Sequence, residues 1–318
     1  MKIALVRFYQ RKGSTGTIPW HYSFYKTILE KEGHCVDIFD NQVLQLSVGD
    51  LVDAVLDTDA EVIGVGRIGT VYNPLKKFCN KIKKINTSIL IVVGGHITAD
   101  YDFLLRKVSI DVVVRGEGEV TLQNIVSSVA DGKDWFDVKG IAYLKNGVLR
   151  ETQQEKLIAM DVLPDFCVEH FEMAKYKSSV DDTFIIDDKA KMLKENGDLQ
   201  LSIFLARGCP FNCFFCYRHI PGYRYYSRER LEYILKYFKG KGYSFFSFGD
   251  ECVTANKKNL KNICELALEN NIYWGTSGRV DQLSHEVLRL LAEHNCAFLQ
   301  FGVESFDQSM LDQMNKKT

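Results

Sequence analysis

Leu205-Ala-Arg-Gly-Cys-Pro-Phe-Asn-Cys-Phe-Phe-Cys-Tyr217 carries three cysteines, Cys209, Cys213 and Cys216, in a C-x3-C-x2-C spacing. That spacing lets three thiolates converge on one metal centre without help from distant sequence. Clustered Cys thiolates are how proteins hold iron–sulfur clusters. Three protein ligands on a four-iron cluster leave one iron open, and an open coordination position is where chemistry can occur. The run follows a strand-like stretch, Leu199 to Ala206, and an Arg-Gly turn. The cysteines therefore fall on a loop at a strand end.

Two other readings compete for these cysteines. Zinc sites usually pair two C-x2-C units, or complete one with histidine. No second pair exists here, although His219 would complete a Cys3His site. A ferredoxin-like electron carrier needs a fourth cysteine nearby, and the next one, Cys252, belongs to a separate strand region. A four-iron cluster on three cysteines is the reading carried forward.

Around the loop the pattern alternates. Strands are expected near 200–206, 243–248, 271–276 and 296–302, with helices near 227–240, 257–270, 284–294 and 307–314. Lys316-Lys-Thr318 follows directly on the fourth β/α unit. Four strands would leave an exposed parallel edge, which proteins avoid, so a fragment lacking at least two further units is expected. Upstream, Ile3 to Phe8, Cys35 to Phe39, Glu61 to Val65, Ser88 to Val93 and Asp111 to Val114 are short apolar runs between helical patterns. Such runs signal a parallel sheet covered on both faces, here a doubly wound, flavodoxin-like α/β domain. Gly140 to Glu151 reads as a small hairpin turning at Asn146-Gly147. The expected organisation is an α/β domain over 1–151, a linker over 152–198 and a β/α domain over 199–318.

The 318 residues, 46% hydrophobic and 25% charged, describe an ordinary globular chain of about two domains. A net charge of −1 gives no electrostatic case for nucleic acid or an anionic membrane. No apolar run reaches the roughly 18 residues of a membrane span, and the N-terminal strand is too short for a signal peptide's apolar core. Nine cysteines, mostly scattered singly, fit a reducing compartment. The expected location is cytoplasmic.

Reactive groups on β/α folds sit on loops at the carboxyl ends of strands. The second strand of the latter domain ends in Phe248-Gly-Asp-Glu-Cys252, the third in Thr276-Ser-Gly-Arg-Val-Asp281 and the fourth in Phe301-Gly-Val-Glu-Ser305. The acidic pair reads either as a solvated loop or as a site. Arg279 is equally a surface arginine or a carboxylate receptor, because guanidinium binds carboxylates in a bidentate fork. In the first domain, Gly94-Gly-His-Ile-Thr98 and Arg115-Gly-Glu-Gly-Glu-Val-Thr121 follow the fourth and fifth strands. Glycines at strand ends let a ligand approach the backbone.

The cysteine loop closely resembles that of the radical S-adenosylmethionine superfamily, including the aromatic Phe215 before the last cysteine. The resemblance implies a partial (β/α)6 barrel, truncated after its fourth unit, whose 4Fe–4S cluster chelates S-adenosylmethionine. Gly249, Asp250 and Glu251 then stand where the family's Gly-Gly-Glu segment receives the methionine amino group. Arg279 would face the cofactor carboxylate, and Glu304, with Ser305, matches the family's Gly-Val-Glu-Ser segment at the ribose hydroxyls. The first domain resembles the cobalamin-binding domain found ahead of the barrel in one branch of that superfamily. Gly94, Gly95, His96, Thr98, Gly116, Glu117, Gly118 and Glu119 are the contacts so implied. One departure is plain: the Asp-x-His-x-x-Gly signature is missing, since the loop after the first strand reads Phe8-Tyr-Gln-Arg-Lys-Gly13. The implied choices are cobalamin with no protein imidazole beneath it, or a domain that binds none. Trp20, His21 and Tyr22 lie near where a corrin face would fall, and core packing is the expected role. His34, His170, His285 and His294 show no metal-ligand spacing.

The activity implied is reductive cleavage of S-adenosylmethionine to a 5′-deoxyadenosyl radical, with cobalamin-dependent methyl transfer to an unactivated carbon of a small molecule. Radical cyclisation or rearrangement is the first alternative, and a non-catalytic electron-transfer or sensing protein the second. An electron donor such as flavodoxin or ferredoxin is the expected partner.

Overall fold

A computed structural model describes residues 1–9, 17–66, 69–176, 199–218 and 222–318. Two compact units result: Met1–Leu157 with Pro164–Tyr176, and Ile158–Leu163 with the described part of Lys177–Thr318. Part of the stretch expected as a linker is thus built into the units, and 177–198 lies outside the described residues.

The first unit holds β1 (Lys2–Arg7), α1 (Trp20–Lys31), β2 (Cys35–Asp40), α2 (Asn41–Leu44), α3 (Val48–Leu56), β3 (Val62–Gly66), α4 (Tyr72–Ile85), β4 (Leu90–Gly94), α5 (Tyr101–Lys107), β5 (Val112–Val114), α6 (Gly118–Ala130), β6 (Ile141–Lys145) and β7 (Val148–Glu151). The sheet order is β2-β1-β3-β4-β5-β6-β7, parallel through β5. The hairpin expected at 140–151 adds β6 and β7 antiparallel to that same sheet. Its turn residues, Asn146 and Gly147, both take positive φ, as a two-residue hairpin turn of the primed type requires.

Alternation along each strand assigns the faces. Ala4, Val6, Ile63, Val65, Ile91, Val93 and Val113 bury against α3, α4 and α5; Ile3, Leu5, Val62, Val92, Val112 and Val114 bury against α1 and α6. Both faces are covered, which explains the unbroken apolar runs. The order reverses between β1 and β3, and Tyr22 of α1 sits at that switch. Its hydroxyl lies 2.8 Å from Val6 O and 2.9 Å from Gly66 O, and accepts from Gly66 N at 3.0 Å. The strap 164–176 packs on the same unit. Phe166 and Phe171 meet the Trp20 ring edge-on at 5.0 and 5.8 Å, and Tyr176 donates to Asp40 at 2.7 Å.

In the second unit β8 (Leu199–Ile203), β11 (Tyr243–Phe248), β12 (Tyr273–Arg279) and β13 (Cys296–Gly302) form a parallel sheet in the order β13-β12-β11-β8. It is an open four-stranded sheet. The helices α7 (Arg228–Gly240), α8 (Lys257–Glu269), α9 (His285–Glu293) and α10 (Gln308–Gln313) alternate with it. Each starts at a side chain that caps its first turn: Ser227, Asn256, Ser284 and Asp307. Such caps contribute about 1 kcal/mol each. Phe246 and Phe248 stack toward Phe238 and Trp274 on one face of β11, while Phe245 stacks on Phe298 on the other. Phe298 fills the space beside Gly275, where a Cβ would stand 2.0 Å from its ring.

Two boundaries differ from the sequence expectation. β8 stops at Ile203, and Ala206–Gly208 forms a separate strand, β9, antiparallel to β10 (Tyr223–Tyr225). β12 runs on to Arg279, because Gly278 and Arg279 still pair with Phe301 and Gly302.

Removing the Tyr22 hydroxyl leaves the Gly66 N–H without its acceptor inside the first unit. Tyr22→Phe is expected to lower that unit's unfolding free energy by about 1–3 kcal/mol, read from its urea transition; an unmoved midpoint refutes the role.

Candidate functional site

The cysteine loop is launched by a buried carboxylate. Asp250, at the end of β11, accepts the backbone N–H of Leu205 at 2.8 Å and that of Ala206. These bonds take the chain out of β8 and into β9. Gly249 N donates to Ile203 O at 2.8 Å, and Ser277 Oγ to Asp250 O at 3.2 Å, so neighbouring strand ends are tied together. The other carboxylate oxygen, Asp250 Oδ2, is buried without a hydrogen-bond partner among the described residues. Burial pushes the Asp250 carboxyl up to about 7 against the backbone N–H groups that favour its charge. Glu251 is also raised by burial, with the Arg218 guanidinium opposing.

The three cysteines share the loop but point to different neighbours. The Cys209 and Cys252 thiols act on each other, which raises Cys209 and pushes Cys252 down to about 7. Sequence distance hid Cys252; parallel pairing of Phe248 with Ile203 brings the following residues beside the loop. Cys213 Sγ receives Arg279 Nη1 at 3.3 Å. Cys216 is an exposed residue whose thiol is raised by partial desolvation, by Glu251 and by the neighbouring Cys209 and Cys213. Among the described residues no three Cys, His, Asp or Glu side chains stand in metal-holding geometry. The donor chemistry nevertheless fits a thiolate-held cluster: three free thiols on one loop, with a guanidinium at one of them. His219, the ligand of the zinc alternative, lies outside the described residues.

The fourth strand end is occupied from within the chain. Glu304 has a φ of +62°, a left-handed backbone that a non-glycine residue rarely adopts. Lys316 Nζ meets its Oε1 at 3.0 Å and Gly302 O at 2.9 Å, and lies 5.8 Å from the centre of the Phe215 ring. Phe215, Glu304 and the end of β13 are thereby gathered round one ammonium. Ser305 instead serves its turn: its Oγ accepts from Asp307 N at 3.0 Å.

In the first unit the alternation that buries Leu5, Val92 and Val114 puts Gly64, Gly66 and Gly94 on the same face, with Gly116 just past the end of β5. Without side chains there, a cavity of about 200 Å3 opens between the sheet and α1 and α6. Gly95, His96 and Gly118 also line it, as do His21, Tyr22, Tyr25 and Leu122. Thr98, Glu117 and Glu119 of the sequence-based set do not. Thr98 Oγ1 closes a turn on Gly95 O at 2.8 Å, and Glu117 precedes α6 as its cap residue. Trp20 and Tyr22 pack in the core as expected, Tyr22 also lining the cavity, and His21 faces the cavity instead. Gly64 and Gly66 were missed because they sit inside an apolar strand, and only the face assignment reveals them. The loop where the missing histidine signature would fall, 10–16, lies outside the described residues. Two of the other histidines are structural: His170 Nδ1 is 2.8 Å from Ser23 Oγ, and His294 Nδ1 is 2.7 Å from Leu290 O.

Two family models match the chain. Residues 23–126 match the B12 binding domain model and residues 203–318 the Radical SAM superfamily model. An uncharacterized methyltransferase of Pyrococcus horikoshii is 26% identical, across 92% of this chain and 62% of that protein. The anaerobic magnesium-protoporphyrin IX monomethyl ester cyclase of Rubrivivax gelatinosus is 27% identical, across 91% of this chain and 52% of that protein. The chain thus spans 62% and 52% of these relatives' lengths. Among solved structures, the radical S-adenosylmethionine methyltransferase TsrM of Kitasatospora setae shares the fold, with a TM-score of 0.73 at 16% identity, over 98% of this chain and 60% of that one. The chain belongs with the proteins that place a B12 binding domain ahead of a radical SAM domain, and the 4Fe–4S cluster, S-adenosylmethionine and cobalamin are the cofactors of the families matched.

Asp250 makes the site pH-sensitive in a definite direction. Burial holds it at about 7 in the folded chain, above the ordinary carboxyl value of 3.8, so the neutral form is favoured on folding. That contribution to stability is complete below about pH 4 and is lost as pH rises through about 7. Asp250→Asn is expected to flatten the fall of the urea midpoint across this window; an unchanged profile refutes it.

Proposed function

We propose that this B12-binding radical SAM chain belongs to a cobalamin-dependent methyltransferase acting on an unactivated carbon of a small molecule. The observation that carries this is the convergence, on the carboxyl ends of β8, β11, β12 and β13, of the cysteine loop, Asp250, Arg279 and Glu304, in a chain whose other unit holds a glycine-lined cavity. Cys209, Cys213 and Cys216 would hold the 4Fe–4S cluster. The bound groups supply reductive cleavage of S-adenosylmethionine to a 5′-deoxyadenosyl radical and a methyl group from cobalamin.

The protein's own part is positioning. Asp250 Oδ2, a buried acceptor left open at a strand end, suits the cofactor's amino group, with Glu251 beside it. Such an ammonium would complete the hydrogen bonding of the carboxylate and hold it ionised. Glu304 would exchange Lys316 for the ribose hydroxyls. In the first unit Leu5, Val92, Val114 and Leu122 offer apolar walls above a glycine floor, a surface for the flat apolar part of cobalamin and its nucleotide. Similarity across 91% of the chain to a cyclase favours cyclisation as the second reading. A low-potential donor such as flavodoxin or ferredoxin would supply the electron, and nine free thiols suit a reducing, cytoplasmic setting.

Anaerobic reconstitution with iron and sulfide, followed by assay for 5′-deoxyadenosine and for methylated product, tests the assignment. Each Cys→Ser change at 209, 213 and 216 is expected to lose the four-iron spectrum and all cofactor cleavage. Retention of both would reject the ligand set; turnover without methyl transfer would favour the cyclase reading, and no turnover a non-catalytic protein.

Gly94 offers a clean probe of the cavity, since a Cβ there makes only ordinary contact, 3.8 Å from Val114. Gly94→Val is expected to weaken hydroxocobalamin binding at least tenfold with folding intact, measured by visible titration. His96→Ala should leave the cobalt spectrum unchanged. Equal affinity in the valine variant would move cobalamin out of this cavity.

A further inference from the structure

Arg279 is engaged along every edge of its guanidinium. Nε donates to Asp281 Oδ1 at 2.9 Å and Nη2 reaches Oδ2 at 3.4 Å, so that carboxylate fills one fork. Nη2 also donates to the backbone oxygens of Lys316 and Lys317. Nη1 donates to Cys213 Sγ at 3.3 Å. The planar face lies 4.0 Å from the ring centre of Phe211, inside the cysteine loop. The backbone is held as well. Arg279 N donates to Thr254 Oγ1 at 3.3 Å, and Gly278 lets Thr254 approach so closely that a Cβ would stand 2.8 Å from it. At 7% exposure the residue is buried.

A guanidinium binds a carboxylate best through two parallel N–H bonds. Here one fork is taken by Asp281, and the end formed by Nη1 and Nη2 is divided between a cysteine sulfur and main-chain oxygens. No fork is left for a second carboxylate. What the arrangement does supply is one directed N–H, clamped on three sides, aimed at a thiol of the cluster loop.

We propose that Arg279 is a positioning residue for the iron–sulfur cluster, donating Nη1–H to the Cys213 thiolate and raising the cluster's reduction potential, and that it does not receive the carboxylate of S-adenosylmethionine. This rests on the cluster reading given under the proposed function. Hydrogen bonds to cluster sulfurs and nearby charge set the potential. Reduction adds negative charge, so a donated N–H and a cationic group favour the reduced form. Asp281 offsets part of the charge but keeps the N–H aimed. Phe211 and Cys213 lie on the same loop, so the stacked guanidinium also fixes the sulfur it serves.

The test is a redox titration of the anaerobically reconstituted chain, followed by electron paramagnetic resonance, beside calorimetric titration with S-adenosylmethionine. Arg279→Gln is expected to reduce the ratio of reduced to oxidised cluster at fixed potential about tenfold, equivalent to about 59 mV for a one-electron couple, with affinity for S-adenosylmethionine within about twofold. Arg279→Lys keeps the charge but loses the forked, directed N–H donors and should shift the ratio the same way by less; it carries the test where Arg279→Gln fails to assemble. Unshifted potentials in these variants overturn the proposal. So does a tenfold loss of S-adenosylmethionine affinity at unchanged potential, which would return Arg279 to the carboxylate. Absence of a four-iron cluster in the unsubstituted chain sinks the cluster reading and this proposal together, whereas an intact cluster with unshifted potentials sinks the proposal alone.

Discussion

The carboxylate of Asp250, buried at the end of β11, takes the N–H groups of Leu205 and Ala206 and so decides where β8 stops. Everything in the second unit's site hangs from that exit. With pairing ended at Ile203, Ala206–Gly208 turns across Tyr223–Tyr225, and the two short strands close the base of the cysteine loop. Burying a carboxylate is expensive unless its oxygens are bonded. Here one oxygen is satisfied and the other is not, and burial raises the carboxyl against its backbone N–H partners. A strained Glu304 and a carboxylate with an open acceptor stand at two strand ends of one sheet, a pattern expected where binding rather than stability shaped the residues.

The first unit makes its space by omission. Gly64, Gly66 and Gly94 share the α1/α6 face of the sheet, and the missing side chains leave a volume roofed by Tyr22, Tyr25 and Leu122. Parallel register places Gly66 beside Gly94, so the gaps join instead of scattering. Tyr22 closes the switch between β1 and β3, where the sheet order reverses. Ligands of doubly wound sheets bind at that point, and the cavity lies there.

Much of this was legible in the residues. Apolar runs with β-branched residues, ended by glycine or capping residues, mark parallel strands and helices because each element must bury a face and close its ends locally. The cysteine spacing likewise acts at short range, so the loop and its family could be named from it. The glycine-rich ends of β4 and β5 pointed to the part of the first sheet where the cavity lies for the same reason.

What the residue order alone could not decide were contacts set by strand pairing and by the direction of side chains. Cys252 is remote from Cys209 along the chain, and parallel pairing of β8 with β11 makes them neighbours. Gly64 and Gly66 read as ordinary strand residues until alternation assigns them a face. Arg279 read equally as a surface arginine or a carboxylate receptor; the longer β12 and Asp281 turn it onto the Cys213 sulfur. Local chemistry determined the elements, the cysteine loop and the family. The partners of each reactive side chain came only with the tertiary fold, because a hydrogen bond or a cavity depends on which residues are brought within a few ångströms, and separation in sequence does not encode that distance.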